Sequence, residues 1–223
     1  MIEWLSRQTQ RYFRRNEGTT DYATIPSVTL SGDFVFSLLI STNVDTALTG
    51  GYITSSASSS SFRLAVWQNT IIIGVVGSDV AIFSASGIDF SLLAEIVLSR
   101  AGSVFSCSVG GVALSQTGGA GSSLSLTIDS MYKAWGEVTS VPNWSGILAN
   151  LRIYDAGTLV RDYPLDDNSA TLIDAANGQD GSVVNGAADD WGLFHQVVRG
   201  GKWQGIGLTV PPWASANQIL EVS

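Results

Sequence analysis

Hydrophobic positions along this chain alternate with polar ones in short runs. They do not recur every three or four residues. In FVFSLLIS, residues 34–41, Phe34, Phe36, Leu38 and Ile40 fall on one side of an extended chain. A period of two is the signature of a strand with one buried face. Further runs follow: RLAVWQ (63–68), NTIIIGVVG (69–77), VAIFS (80–84), LLAEIVLSR (92–100), SVFSCSV (103–109), VALSQ (112–116), SLSLTI (123–128) and GILANLRIYD (146–155). In the last of these the alternation assigns Ile147, Ala149, Leu151 and Ile153 to one face. Gln68–Asn69, Gly77–Ser78–Asp79, Ala101–Gly102 and Gly110–Gly111 separate the runs as turns, where glycine reaches positive φ without a clash. Strands recur every ~8–12 residues, which predicts an all-β, antiparallel two-sheet jelly-roll sandwich. A parallel sheet would need helical patterns between strands, and none intervene. The tracts SSASSSSF (55–62) and GGAGSS (118–123) read as loops at the sandwich rim.

Two segments fall outside this rhythm. Residues 1–10 suit a short helical arm with Ile2, Trp4 and Leu5 on one side. Residues 195–223 end in a stretch where Pro211–Pro212 excludes a central strand or a helix interior. The expected organisation is an N-terminal arm (1–10), a sandwich (11–194) and a C-terminal extension (195–223) that packs on the sandwich or on a partner. Trp4, Arg7, Arg11, Trp203 and Trp213 are the expected docking residues of the two extensions.

Composition agrees with an all-β reading. The 223 residues are 13% charged and 45% hydrophobic, with 24 glycines. That length accommodates one large β domain with a full core. The formal net charge of −8 argues against a nucleic-acid partner. The charge is also uneven: Arg7, Arg11, Arg14 and Arg15 stand near the start, while residues 155–190 hold eight aspartates and one arginine. A basic arm on an acidic body suits contact with another subunit, and equally suits a solvated arm. The opening MIEWLSRQTQRYFRRN lacks an apolar signal core, and no run of about 18 apolar residues predicts a membrane span.

Candidate chemistry centres on DYPLDDNSATLIDAANGQDG, residues 162–181. An EF-hand loop starting at Asp166 fails, because Ala170 and Thr171 stand where an oxygen ligand and the glycine are needed. The stretch reads more simply as turns. Tyr163 and Leu165 end a strand; Asp166, Asp167, Asn168 and Ser169 make a turn through side-chain oxygens. Leu172 and Ile173 re-enter the core, Asp174 and Asn177–Gly178 make the next turn, and Val183–Val184 continue the sheet. A second candidate is SMYKAWGEVTSVPNW (130–144). There Tyr132, Trp135, Asn143 and Trp144 combine ring faces with an amide, as sugar binding requires. The alternative is that these rings cap the core; Trp67 lies in a strand and is expected in the core. His195 is the lone histidine, and no Gly-x-Ser-x-Gly elbow supports a catalytic triad. Cys107 shares a strand face with Phe105 and Val109, which predicts a buried structural thiol.

Four pieces in order carry a family resemblance. GTTDYATIP with SGDFVFSLLIS (18–41) resembles the opening of a laminin-G-like, concanavalin-A-like sandwich domain. LLAEIVLSRAGSVFSCSVGGVAL (92–114) is similar to that family's central hairpin with its Arg-x-Gly turn. NWSGILANLRIYD (143–155) looks like its late strand, and RDYPLDDNSATLIDAANGQDGSVVNG (161–186) like the acidic turn that follows. The resemblance covers about residues 11–194 and implies two curved antiparallel sheets with a binding rim of loops. The DDWGLF ending (189–194) resembles versions of the domain in bacteriophage tail or head appendages.

The resemblance carries further expectations. Calcium in such domains is held at the rim by one or two carboxylates, for which Asp166, Asp167 and Asp174 are the candidates; no cofactor is required. Sandwich glucanases of related fold place their carboxyls as Glu-x-Asp-x-x-Glu, and the five glutamates here never approach that spacing. A non-enzymatic virion structural protein is therefore expected, a tail or head fibre or surface decoration. It would be assembled in the host cytoplasm and exposed on the particle, with other virion proteins and copies of itself as partners and host-surface polysaccharide as ligand. The alternatives are a free lectin-like adhesion module and a polysaccharide-cleaving enzyme on the same sandwich.

Overall fold

The structure is a computed structural model that describes residues 7–16, 22–42, 51–55, 62–67, 69–75, 78–90, 94–131, 146–165, 170–184, 191–199 and 202–207. The first nine strands are β1 (Arg7–Asn16), β2 (Tyr22–Leu30), β3 (Phe34–Thr42), β4 (Gly51–Ser55), β5 (Arg63–Trp67), β6 (Thr70–Val75), β7 (Ser78–Ser84), β8 (Ala94–Ala101) and β9 (Val104–Val109). The remainder are β10 (Val112–Ala113), β11 (Gln116–Gly118), β12 (Leu126–Met131), β13 (Gly146–Asp155), β14 (Thr158–Tyr163), β15 (Thr171–Leu172), β16 (Gly181–Val184), β17 (Trp191–Arg199) and β18 (Lys202–Gly207). They form two antiparallel sheets. One runs β10-β9-β8-β3-β13-β1-β17-β18, with β14 also on β13; the other runs β11-β7-β6-β5-β4-β12-β2-β16-β15.

The alternating residues build the core between the sheets. Phe34, Phe36, Leu38 and Ile40 of β3 are all buried, beside Ile96 and Leu98 of β8 and Phe105, Cys107 and Val109 of β9. The second sheet answers with Leu64, Val66, Ile71, Ile73, Leu126 and Ile128. Each such side chain contributes roughly 1.5–3 kcal/mol on burial. The turns at Asn69 (φ 63°), Gly102 (φ 61°) and Gly110–Gly111 fall where expected, whereas Ser78 and Asp79, expected in a turn, already belong to β7 and pair with Val75 and Gly74. Trp67, at the end of β5, is only half-buried rather than a core residue.

Strand β13 departs from strict alternation. Leu148, Leu151 and Ile153 are buried, and the register against β3 shifts between Ala149 and Arg152. Asn150 takes a φ of 49° there, and its N–H donates to Pro164 O at 3.1 Å. Asparagine tolerates this left-handed conformation better than other residues with a Cβ. The extra residue turns Leu148 onto the same face as Leu151, so Leu148 joins the core where alternation alone omits it.

Arg100 ties the sheets together at one end. From β8 its Nε donates to Gly32 O at 3.0 Å, Nη1 to Leu124 O at 2.6 Å and Nη2 to Leu30 O at 3.3 Å, all on the opposite sheet's strands or their flanks. The guanidinium carbon sits 5.1 Å from the Phe34 ring centroid, and Phe34 meets Phe105 edge-on at 6.2 Å. Burial pulls the Arg100 pKa down, while Asp33 and Asp155 hold it up.

The sheet forks at β13. Its edge pairs with β1 over Gly146–Leu148 and with β14 over Leu151–Asp155. Strand β1 therefore leaves β13 at Arg14, and Arg7–Phe13 has β17 as its strand neighbour among the described residues. With β18 on the far side of β17, the result is a three-stranded ribbon. Residues 7–10 are thus strand and not the helical arm expected from sequence. The polar sequence RQTQRYFRRN gives no alternation to read, and pairing with β17 decides its state. Strand β1 runs across the 10/11 boundary and β17 across the 194/195 boundary.

Candidate functional site

Five connections cross between the sheets at one end of the sandwich. In register there, Asn16 of β1 and Thr42 of β3 both stand opposite Gly146 of β13, and Trp191 of β17 stands opposite Arg14. On the other sheet Met131 of β12 stands opposite Ala23 of β2 and Thr54 of β4, and Val184 of β16 opposite Tyr22. The segments 17–21, 43–50, 132–145 and 185–190 join these ends. The fifth, 166–169, ends at Ala170, whose carbonyl accepts the N–H of Val183 at 2.9 Å; Val183 is in register with Ala23. The expected sugar-binding residues Tyr132, Trp135, Asn143 and Trp144, and the expected calcium ligands Asp166 and Asp167, belong to two of these segments. They lie outside the described residues, as do Trp4 and Trp213. Arg7 and Arg11 are in β1 and Trp203 is in β18, so the fold brings the two sets of expected docking residues into one ribbon.

Asp174 is the one candidate carboxylate whose surroundings are described. It is buried, 3% exposed, and follows β15 by two residues in the chain. Its Oδ1 accepts the N–H of Asp162 at 2.9 Å and of Ala176 at 3.0 Å, and its Oδ2 accepts that of Gln179 at 3.3 Å. Its own N–H donates to Asp180 Oδ1 at 2.9 Å. Gly178, at φ 69°, closes the turn by donating to Asp174 O at 3.1 Å. This carboxylate organises a loop.

The loop runs along the edge of β14 away from β13, where Ala175 N–H donates to Asp162 O at 2.8 Å. Tyr163, fully buried, donates its hydroxyl to Gln179 O at 2.6 Å. Burial raises the phenol's pKa, Asp174 and Asp180 raise it further, and Arg161 opposes them. Arg161 is also buried; its Nη1 donates to Val160 O at 2.7 Å, and Asn177 Nδ2 donates to the same carbonyl at 2.9 Å. Leu172 enters the core as expected, but Ile173 does not and is 49% exposed. Two residues after Leu172 the chain must bury Asp174, and the alternation of an extended segment then turns Ile173 outward.

The buried charges Arg100, Arg161 and Asp174 are thus all bonded to the chain's own backbone. Sequence reasoning missed the two arginines as structural elements; the Arg-x-Gly turn at Arg100–Gly102 was the available signal for one. Cys107 is buried as expected, and desolvation pushes its thiol up to about 12. No group of three His, Cys, Asp or Glu is placed to hold a metal among the described residues. No helix of the structure is long and apolar enough to cross a membrane among the described residues.

No protein-family model and no curated protein sequence matches the chain. Solved structures do. The LG1-3 region of the laminin alpha2 chain superposes with a TM-score of 0.50 at 11% identity, covering 71% of this chain and 30% of that one. The heptameric SAP-like pentraxin from Limulus polyphemus gives 0.47 at 16% identity, over 64% of this chain and 74% of that one. The enzymatically active domain of bacteriophage CBA120 tailspike protein 2 gives 0.47 at 12% identity, over 74% and 34%. The match thus spans about a third of the laminin and tailspike chains. The chain is an all-β two-sheet sandwich, and the sandwich has the laminin-G-like, concanavalin-A-like fold.

Proposed function

We propose that this chain is a non-enzymatic surface protein of a bacteriophage particle, a fibre or decoration component that binds host-surface glycan at its loop rim. The observation that carries the binding reading is the convergence of five inter-sheet connections at one end of the sandwich. One of them contains Tyr132, Trp135, Asn143 and Trp144. A pyranose stacks on such rings while an amide and backbone groups fix its hydroxyls. The particle reading is supported by the resemblance of the DDWGLF ending to phage appendage domains.

The non-enzymatic reading is supported by the use of the buried charged side chains as ties within the fold. A hydrolase of this class needs two carboxyls facing one another across the sugar, roughly 5–9 Å apart. Asp174, the buried acid of the described residues, instead accepts three backbone N–H groups. On this reading no cofactor is required, and calcium at Asp166 and Asp167 would serve only to order the rim.

A glycan array probed with the full chain tests the binding, followed by titration calorimetry on the best hit. Binding should fall at least tenfold in Trp135→Ala or Trp144→Ala with the far-UV spectrum unchanged. No binding to any bacterial surface polysaccharide, or equal binding by both variants, refutes the rim. Reducing ends released during incubation would instead establish an enzyme. Antibody labelling of particles in the electron microscope separates a virion component from a free lectin-like module.

A further inference from the structure

Six of the chain's eleven lysines and arginines lie in three strands: Arg7, Arg11, Arg14 and Arg15 in β1, Arg199 in β17 and Lys202 in β18. Those strands contain no aspartate or glutamate. All nineteen acids of the chain lie elsewhere, against five cations. The segregation is a product of the fold, because β1 and the β17–β18 hairpin come from opposite ends of the sequence. Register places Arg7 opposite Val197, Arg14 opposite Trp191 and Arg199 opposite Lys202. Like charges directly opposite one another are destabilising, and an acid-free ribbon repels itself. Charged edge strands do guard a sheet against unwanted pairing. That protection concerns unpaired edges, and Arg199 lies in β17, which is paired on both sides.

We propose that the ribbon β1–β17–β18 docks on the acidic sandwich of a second copy of this chain. The fork at β13 gives the ribbon its independence. Arg7–Phe13 is about 20 Å of strand that has left β13. The complementary charge is present at equal stoichiometry: outside the ribbon the chain carries nineteen acids against five cations, with Asp33, Glu95 and Asp180 among the exposed ones. A nucleic acid or other polyanion is the less favoured occupant, since it would meet the repulsion of a chain with net charge −8. Exchanged reciprocally, ribbon on body gives a twofold dimer; passed head-to-tail, it closes into a ring or grows as a filament. The proposal needs neither the glycan rim nor a particle.

Sedimentation velocity of the full chain in about 20 mM and about 500 mM sodium chloride tests it. The expected result is a species at a multiple of 23.5 kDa in low salt that returns to 23.5 kDa in high salt. The variant Arg7→Gln/Arg11→Gln/Arg199→Gln, with an unchanged far-UV spectrum, should stay monomeric in both. Its body still accepts a ribbon, so adding it in excess to the natural chain should lower the mean mass of the assemblies. A natural chain that is monomeric in both salts overturns the proposal. So does an assembly whose mass neither salt nor the variant changes. A chain that stays monomeric in low salt yet binds heparin through the ribbon also overturns it, because the occupant is then a polyanion.

Discussion

Replacing Asp174 tests the assignment of its carboxylate to loop organisation. In Asp174→Ala the N–H groups of Asp162, Ala176 and Gln179 lose their acceptor in a part-buried site. Hydrogen bonds to a charged group are worth roughly 1.5–3 kcal/mol each, and a buried donor left unpaired costs a similar amount. Two of the three bonds are short, at 2.9 and 3.0 Å, while the third, at 3.3 Å, is weak. Allowing for partial hydration of the opened loop, the loss is about 3–4 kcal/mol, a large share of a typical 5–15 kcal/mol stability. In Asp174→Asn the side-chain oxygen keeps the two short bonds, and the amide nitrogen turns a donor toward Gln179 N–H. That loss is about 1–2 kcal/mol. Urea unfolding followed by tryptophan fluorescence gives the order, with a midpoint shift of about 1.5–2 M for the alanine variant at a slope near 2 kcal/mol/M. Hydrogen exchange adds a local readout, since the three amides should lose protection before the core does. An alanine variant within about 0.5 kcal/mol of the natural chain refutes the reasoning, because that is the range of an ordinary surface change. Unaltered exchange at the three amides refutes it as well.

Three further outcomes are expected. Arg100→Met should cost about 2–4 kcal/mol in denaturant titrations, and Arg100→Lys should recover little of it, because one ammonium cannot span the carbonyls of Leu30, Gly32 and Leu124. Cys107 should resist thiol reagents at pH 8 until the chain unfolds. Its folded pKa lies near 12 against an ordinary 9.0, so the unfolded state ionises first and stability falls from about pH 9 toward 12. The slope from this group approaches 1.36 kcal/mol per pH unit, and Cys107→Ala should remove that share of it. Gly119→Ala should cost about 2 kcal/mol or more, since φ is 87° and the new Cβ would press on the Val80 carbonyl. Gly157→Ala, with φ 80° and open space around it, should lose only about 1 kcal/mol.

The parts of the fold that could be read from sequence are those where one local rule decides. Phe34 to Ile40 alternate because one sheet face is buried, and Ala101–Gly102 turns because glycine reaches positive φ. Other features depend on distant residues. Asn150 bulges because β13 divides its edge between β1 and β14, which no window around residue 150 reveals. RQTQRYFRRN is a strand because β17 lies beside it. Ile173 is displaced outward by the burial of Asp174. The acidic stretch was legible as turns, and Asp174 fits that reading. The aromatic segment 130–144 was legible as a candidate rim by composition, whereas its place among five crossings emerges only from the strand register.

The pairing of β1 with β17 also sets a schedule. Arg7 meets Val197, a partner 190 residues further along the chain. At about 5–20 residues per second, a ribosome delivers that partner roughly 10–40 s after β1 has emerged. Throughout that wait β1 is a strand without its main neighbour, on a chain whose apolar strands are already available for pairing. Four arginines among its ten residues keep it soluble and discourage it from pairing with the wrong edge. The same side chains that load the finished ribbon with charge would thus protect the nascent chain, and β1 would be among the last strands to find its place.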